Sequence, residues 1–157
     1  MSNMNISTPS ALLQPLAKLV GSWELEHRDL NTKEEWGGKD KFEWLPGGHF
    51  MAFHHQEDKG VNGVMILGYE KGLEETEPGK WAVSARPEEL VGHWFESSSG
   101  YHYVYIWEID EHTVRFWLND KQSGWSFNGE FSKDGNTIAG TWKWPGGGYD
   151  LVMKRVI

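Results

Sequence analysis

The feature that most constrains the fold is an alternation of large apolar and polar side chains that begins after Gly21. Residues 23–28 read W-E-L-E-H-R, and similar runs recur almost to the C-terminus. Successive side chains of a strand point to opposite faces, so a period of two indicates half-buried strands. Short turns containing glycine, proline or aspartate separate the runs, and no helical pattern intervenes. The chain therefore predicts an all-β domain.

About nine or ten short antiparallel strands are expected from these runs. Such a series favours a meander that is either closed as a barrel or folded as a sandwich. We prefer the closed barrel, because closure leaves no unpaired edge strand. Polar stretches at 31–39 and 71–80 predict loops. The predicted strands lie at about 23–28, 40–46, 48–57, 61–70, 81–84 and 90–97 (separated by Arg86-Pro87), 101–109, 112–119, 125–132, 137–144 and 149–156.

One short helix is predicted ahead of the strands. Leucines recur at helical spacing before Gly21, and Pro15 suits a first helical turn, so the helix should span about 15–20. A longer helix that starts at Ser10 and kinks at Pro15 is the alternative. Residues 1–10 are expected to form a flexible tail, and residues 11–157 a single domain.

Charge and cysteine content exclude several classes of function. The formal net charge is −8 without any Lys/Arg cluster, which disfavours nucleic acid and anionic membranes as partners. With no cysteine there is neither a disulfide framework nor thiolate chemistry. The polar start lacks the pattern of a secretory signal, and no apolar stretch approaches the roughly 18 residues of a membrane span. We therefore expect a cytoplasmic protein.

Two adjacent histidines, His54 and His55, cannot both face the interior of a regular strand. We prefer His54 as the inward residue, because it shares a face with Phe50 and Ala52. The larger side chains at positions 51 and 53 share a face with His55 and make the opposite choice credible.

Aromatic side chains recur on one face of several predicted strands. If these faces point inward, the barrel has an apolar interior with a few polar groups, which is the general form of a small-molecule site. Gly129 and Gly140 would either leave room for a ligand or permit the bends that closure needs. We predict that the barrel binds a small hydrophobic or aromatic molecule. The expected ligand-binding residues are His27, Trp44, His54, His93, Tyr103, Tyr105, Phe127 and Trp142.

Two alternatives to this binding site remain open. The inward aromatic side chains could simply fill the barrel. The protein would then act through its surface or as a homodimer. An enzyme could use His54 or His93 as a general base in the same cavity. The sequence itself assigns no catalytic residue, metal ligand or cofactor: it has no G-x-S-x-G, no His-x-His and no glycine loop followed by a helix.

Residues 16–24, L-A-K-L-V-G-S-W-E, resemble the opening of calycin-type barrels, the lipocalins and fatty-acid-binding proteins. In those folds the tryptophan plugs the closed end, and a basic side chain of the last strand lies across its ring. The resemblance implies this structural role for Trp23, with a partner from Lys154-Arg155. Arg155 is the preferred partner.

A closer resemblance, covering roughly residues 15–156, is to a bacterial family of lipocalin-like domains of unknown function. It is carried by residues 42–50 (F-E-W-L-P-G-G-H-F), by Gly68-Tyr69-Glu70 and by residues 127–142. The opening also resembles the nitrobindins, ten-stranded barrels that bind haem through a histidine near the C-terminus. No histidine follows His112 here, so the matching haem ligand is missing.

Overall fold

The chain forms a closed antiparallel barrel of ten strands in a computed structural model that describes residues 8–69, 73–83 and 89–157. This confirms the predicted all-β fold and decides for the barrel over the sandwich. Parts of several sequence predictions lie outside the described residues: most of the flexible tail, the end of the strand at 70, the start of the loop at 71–80, the end of the strand at 84 and the break at Arg86-Pro87.

The barrel is one continuous meander apart from a small hairpin inserted between β4 and β7. Its strands pair in the order β1-β12-β11-β10-β9-β8-β7-β4-β3-β2, while β5 and β6 form a separate two-stranded sheet. The strands are β1 (Gly21–Asp29), β2 (Glu35–Trp44), β3 (Met51–Glu57), β4 (Asn62–Tyr69), β5 (Leu73–Glu77), β6 (Lys80–Val83), β7 (Leu90–Glu96), β8 (Tyr101–Ile109), β9 (Thr113–Leu118), β10 (Ser126–Phe131), β11 (Thr137–Trp144) and β12 (Gly147–Arg155).

Two predicted loops are partly strand. The loop expected at 31–39 ends early, because β2 begins at Glu35, opposite Arg28 of β1. Gly38 lets this part of β2 approach β3 closely, since a Cβ there would lie 2.6 Å from the carbonyl oxygen of Gln56. The loop expected at 71–80 contains β5, which pairs with β6. Charged composition hid both strands, since neither segment alternates apolar with polar residues.

A 3₁₀ helix, Ala11–Leu19, packs Leu13, Leu16 and Leu19 against one end of the barrel. It starts earlier than the preferred prediction and agrees with the alternative that begins near Ser10, whose hydroxyl accepts a hydrogen bond from the Leu12 amide at 3.2 Å. Pro15 lies inside the helix. Among the described residues, no helix has the length and apolar character that a bilayer crossing needs.

Trp23 and Arg155 join the helix to the last strand. The Trp23 indole is buried and donates from Nε1 to the Leu19 carbonyl at 2.8 Å. The Arg155 guanidinium lies 4.2 Å from the centre of the Trp23 ring and donates to the carbonyls of Lys18 and Val20 at 2.5 Å. The arrangement that the calycin resemblance implied is therefore present, and it closes this end of the barrel.

Candidate ligand-binding site

The barrel encloses a cavity of about 210 Å³ that its own side chains do not fill. This exceeds the roughly 150 Å³ that accommodates benzene in an apolar core, and it is smaller than the roughly 300–1,000 Å³ of sites for drug-sized molecules. A one-ring compound with a short side arm is the size class that fits. Much of the wall is aromatic and includes Trp94, Tyr105, Trp107, Phe116, Phe127 and Trp142.

Four ionisable side chains form a polar cluster on one side of the cavity: His27, Asp40, His55 and Glu57. His55 Nδ1 lies 2.6 Å from Asp40 Oδ1, and its Nε2 lies 3.4 Å from Glu57 Oε1. The same Glu57 oxygen is 3.2 Å from His27 Nε2. His27 and Asp40 are only 2% and 4% exposed, so the polar cluster is a buried feature and not a surface pair.

Strand register brings the polar cluster together. Asp40 of β2 lies directly opposite His55 of β3, and Glu57 follows His55 by two residues on the same face. His27 lies on the neighbouring β1, opposite Trp36 of β2. All four side chains occupy inward positions of three adjacent strands.

Asp40 and His55 form a buried pair. Burial raises the pKa of the Asp40 carboxyl, and the hydrogen bond with His55 opposes that rise. Burial alone would lower the pKa of His55, but the hydrogen bonds and charges of Asp40 and Glu57 outweigh it and raise that pKa to about 9. His55 is therefore the partner that carries the proton near pH 7.

Glu57 is an ionised member of the polar cluster. Burial acts to raise its pKa, but the contacts with His27 and His55 outweigh burial and lower the pKa to about 2. Glu57 is therefore a carboxylate near pH 7. Both histidine contacts use Oε1, and among the described residues no hydrogen bond or ion pair reaches Oε2.

Aromatic rings hold His27 in place. Its ring stacks on Trp36 with 4.9 Å between centroids and meets the edge of Tyr149 at 5.1 Å. Nδ1 lies 3.2 Å from the Trp36 carbonyl oxygen, which can only accept, so this nitrogen carries a hydrogen. Nε2 has no aligned hydrogen-bond partner in the described chain, although Glu57 lies 3.2 Å away. Burial raises the pKa of Tyr149, which keeps its phenol neutral.

Of the residues predicted to bind the ligand, four line the cavity: His27, Tyr105, Phe127 and Trp142. Trp44 and Tyr103 pack against the core without forming part of the cavity wall. Burial raises the pKa of Tyr105 to about 12, which leaves a neutral hydroxyl in the wall. Their role in binding stays a prediction.

The two other predicted histidines point away from the interior. His54 has a side chain 46% exposed and lies 3.0 Å from Glu43 on the outer surface. His93 stacks on His102 of the neighbouring strand, at 5.6 Å between ring centroids. Placing either in the cavity was wrong, because the larger neighbours at 53 and 94 take the inward positions. A general base at His54 or His93 inside the barrel is thereby ruled out.

Sequence reasoning missed most of the polar cluster. His55 was the alternative to His54, but Asp40 and Glu57 were not considered. A signal was available: Phe42 and Phe53 face each other across the β2–β3 hairpin, and the same register sets Asp40 opposite His55. Cross-strand neighbours share a face, so an inward Phe42 requires an inward His55.

Gly129 and Gly140 do not leave space for a ligand. The ring of Phe127 covers both, since a Cβ would lie 2.7 Å from its Cε1 at Gly129 and 2.6 Å from its Cζ at Gly140. These glycines therefore let an aromatic wall residue lie flat against β10 and β11.

The residues present do not fit haem. A cavity of about 210 Å³ lies below the range even for drug-sized molecules. The Nε2 atoms of His27 and His55 both face Glu57, so neither presents a ring nitrogen to an iron. No group of three His, Cys, Asp or Glu suited to a metal ion occurs among the described residues.

Comparison with known proteins adds no functional information. No protein-family model matches the chain, and no curated protein is similar to it at a significant level. The class defined by the structure is a closed ten-stranded antiparallel barrel, compatible with a calycin-like fold.

Proposed function

We propose that this protein binds a small aromatic or hydrophobic molecule inside its barrel. The observation that carries the proposal is the cavity itself, about 210 Å³ with an aromatic wall and one polar side. A barrel selected only for stability would fill this space, since empty apolar volume costs about 24 cal/mol per Å³. A ligand with a small apolar body and one polar group matches both surfaces, because the body packs against the aromatic rings and the polar group binds the polar cluster.

Binding is favoured over general-base catalysis by the state of His55. A general base needs an unprotonated nitrogen directed at its substrate. In His55 both nitrogens face carboxylates, and its pKa of about 9 keeps the imidazole protonated near pH 7. The Asp40–His55 pair is therefore suited to orienting a ligand and not to removing its proton.

A cavity-filling substitution tests the proposal. Leu151 lines the cavity, and its neighbour Val152 lies on the opposite face of β12. Single-ring probes should change the emission of Trp94, Trp107 and Trp142, with a dissociation constant below about 10 µM for the best of them. Leu151→Phe should abolish this binding, and Val152→Phe should preserve it. Emission that no probe changes, or equal binding by both variants, would refute an interior site.

We further propose that the chain is kin to the bacterial lipocalin-like domains, on the motifs of residues 16–24, 42–50 and 127–142. Its charge of −8 supports a small ligand, not nucleic acid or a membrane surface, as the partner. A cytoplasmic location and a homodimer remain predictions from sequence. Fractionation of the native host's cells would test the first, and sedimentation of the purified protein the second.

A further inference from the structure

The charges that line the cavity are unbalanced. Three carboxylates line it, those of Asp40, Glu57 and Glu96. Neither lysine nor arginine occurs among the described residues of the wall. Even if the imidazoles of His27 and His55 are both protonated, the three carboxylates leave the wall with a net negative charge. An anionic ligand would therefore enter against net like charge, without a lysine or arginine in the described wall to receive it.

Glu57 has one carboxylate oxygen to spare beside the cavity. Both histidine contacts use Oε1, which lies 3.2 Å from Nε2 of His27 and 3.4 Å from Nε2 of His55. Among the described residues, no hydrogen bond or ion pair reaches Oε2. A carboxylate oxygen can only accept, so a ligand that carries a donor would satisfy Oε2.

An ammonium group matches this arrangement. It carries three donors, and bonds from a charged nitrogen to a carboxylate are roughly twice as strong as neutral ones. The aromatic wall adds to this selectivity, because the faces of tryptophan and tyrosine attract cations. Trp94 lies 5.8 Å from His55 between ring centroids, so the aromatic wall adjoins the polar cluster.

Building on the proposed binding function, we propose that the ligand is a small primary amine with an aromatic or short apolar body. Its ammonium group donates to Glu57, and its body lies against the aromatic wall. The site discriminates against carboxylic acids of the same size, which sets it apart from a barrel that carries fatty or aromatic acids.

Three probes that differ only in their end group test this inference: phenethylamine, 2-phenylethanol and 3-phenylpropionate. We expect calorimetry on the wild-type protein to rank the amine first, at least about tenfold tighter than the alcohol, with the acid weakest. Glu57→Gln should weaken the amine by about tenfold or more and the alcohol by less than about threefold. Glu43→Gln removes the same charge from the outer surface and should change neither.

The outcomes separate the two proposals. An acid that binds as tightly as the amine, or an amine affinity unchanged by Glu57→Gln, would overturn the amine assignment and leave interior binding intact. If none of the three probes binds, interior binding itself fails and the amine assignment fails with it. The wild-type ranking needs no variant, so the inference remains testable even if Glu57→Gln does not fold.

Discussion

His55 and Asp40 meet inside the barrel, with Nδ1 of the imidazole 2.6 Å from Oδ1 of the carboxylate. His54, the preceding residue, lies outside and is half-exposed. Adjacent histidines thus occupy two different environments because a strand sends successive side chains to opposite faces. This pair supplies a matched internal control for the role of the polar cluster.

Stability should depend on pH through His55. Asp40, Glu57 and His27 surround its ring. The hydrogen bonds and charges of Asp40 and Glu57 outweigh burial and raise its folded pKa to about 9, above the unfolded value of 6.5. A raised pKa contributes stability that is complete below pH 6.5 and is lost as pH rises through 9. The free energy of unfolding should fall over that range, by up to about 3 kcal/mol. Urea denaturation at several pH values measures it.

Substitution of each histidine identifies the source of that slope. We expect His55→Gln to flatten the fall between pH 6.5 and 9, and His54→Gln to leave it as in wild type. If the free energy of unfolding of His55→Gln still falls over that range, groups other than His55 cause the fall.

Glu57 should affect stability at acidic pH. Its lowered pKa of about 2 predicts that the free energy of unfolding also decreases as pH drops below 4.5.

The stability of the closed end of the barrel should depend on Arg155. Its guanidinium covers Trp23 and binds two carbonyls at the end of the helix, so Arg155→Ala removes a cation–π contact and several hydrogen bonds. We expect a loss of about 2–4 kcal/mol in the free energy of unfolding. Lys154→Ala, next along the strand, removes only an exposed pair with Glu26 and should cost less than about 0.5 kcal/mol. Equal losses would contradict the structural role of Arg155.

The position of Trp94 in the cavity wall should depend on Gly63. A Cβ at Gly63 would lie 2.4 Å from Cη2 of the Trp94 ring. Gly63→Ala must displace that ring, and we expect about 1–3 kcal/mol of destabilisation together with weaker probe binding. At Gly124 the nearest atom is 3.5 Å away, an ordinary contact, so Gly124→Ala serves as control. Thermal denaturation of both variants compares the two sites.

The sequence predicts the barrel well because period-two alternation and turn residues are local signals. The calycin-like opening also anticipates the Trp23–Arg155 contact. The ligand site is harder to predict, because it depends on which face of each strand turns inward. Phe53 faces inward opposite Phe42, so its neighbour His54 faces outward. Trp94 faces inward opposite Tyr103, so its neighbour His93 faces outward. Asp40 and Glu57 were missed because isolated carboxylates on polar segments usually face solvent.

The methionine methyl groups give the most direct test of interior binding. Met65 and Met153 line the cavity, whereas Met51 is equally buried but does not line it. In a ¹³C-methyl NMR titration with phenethylamine, we predict that the Met65 and Met153 signals shift and saturate together while the Met51 signal stays in place. Cavity methyl signals that remain unmoved at saturating probe, or that move no more than Met51, would contradict a ligand site inside this barrel.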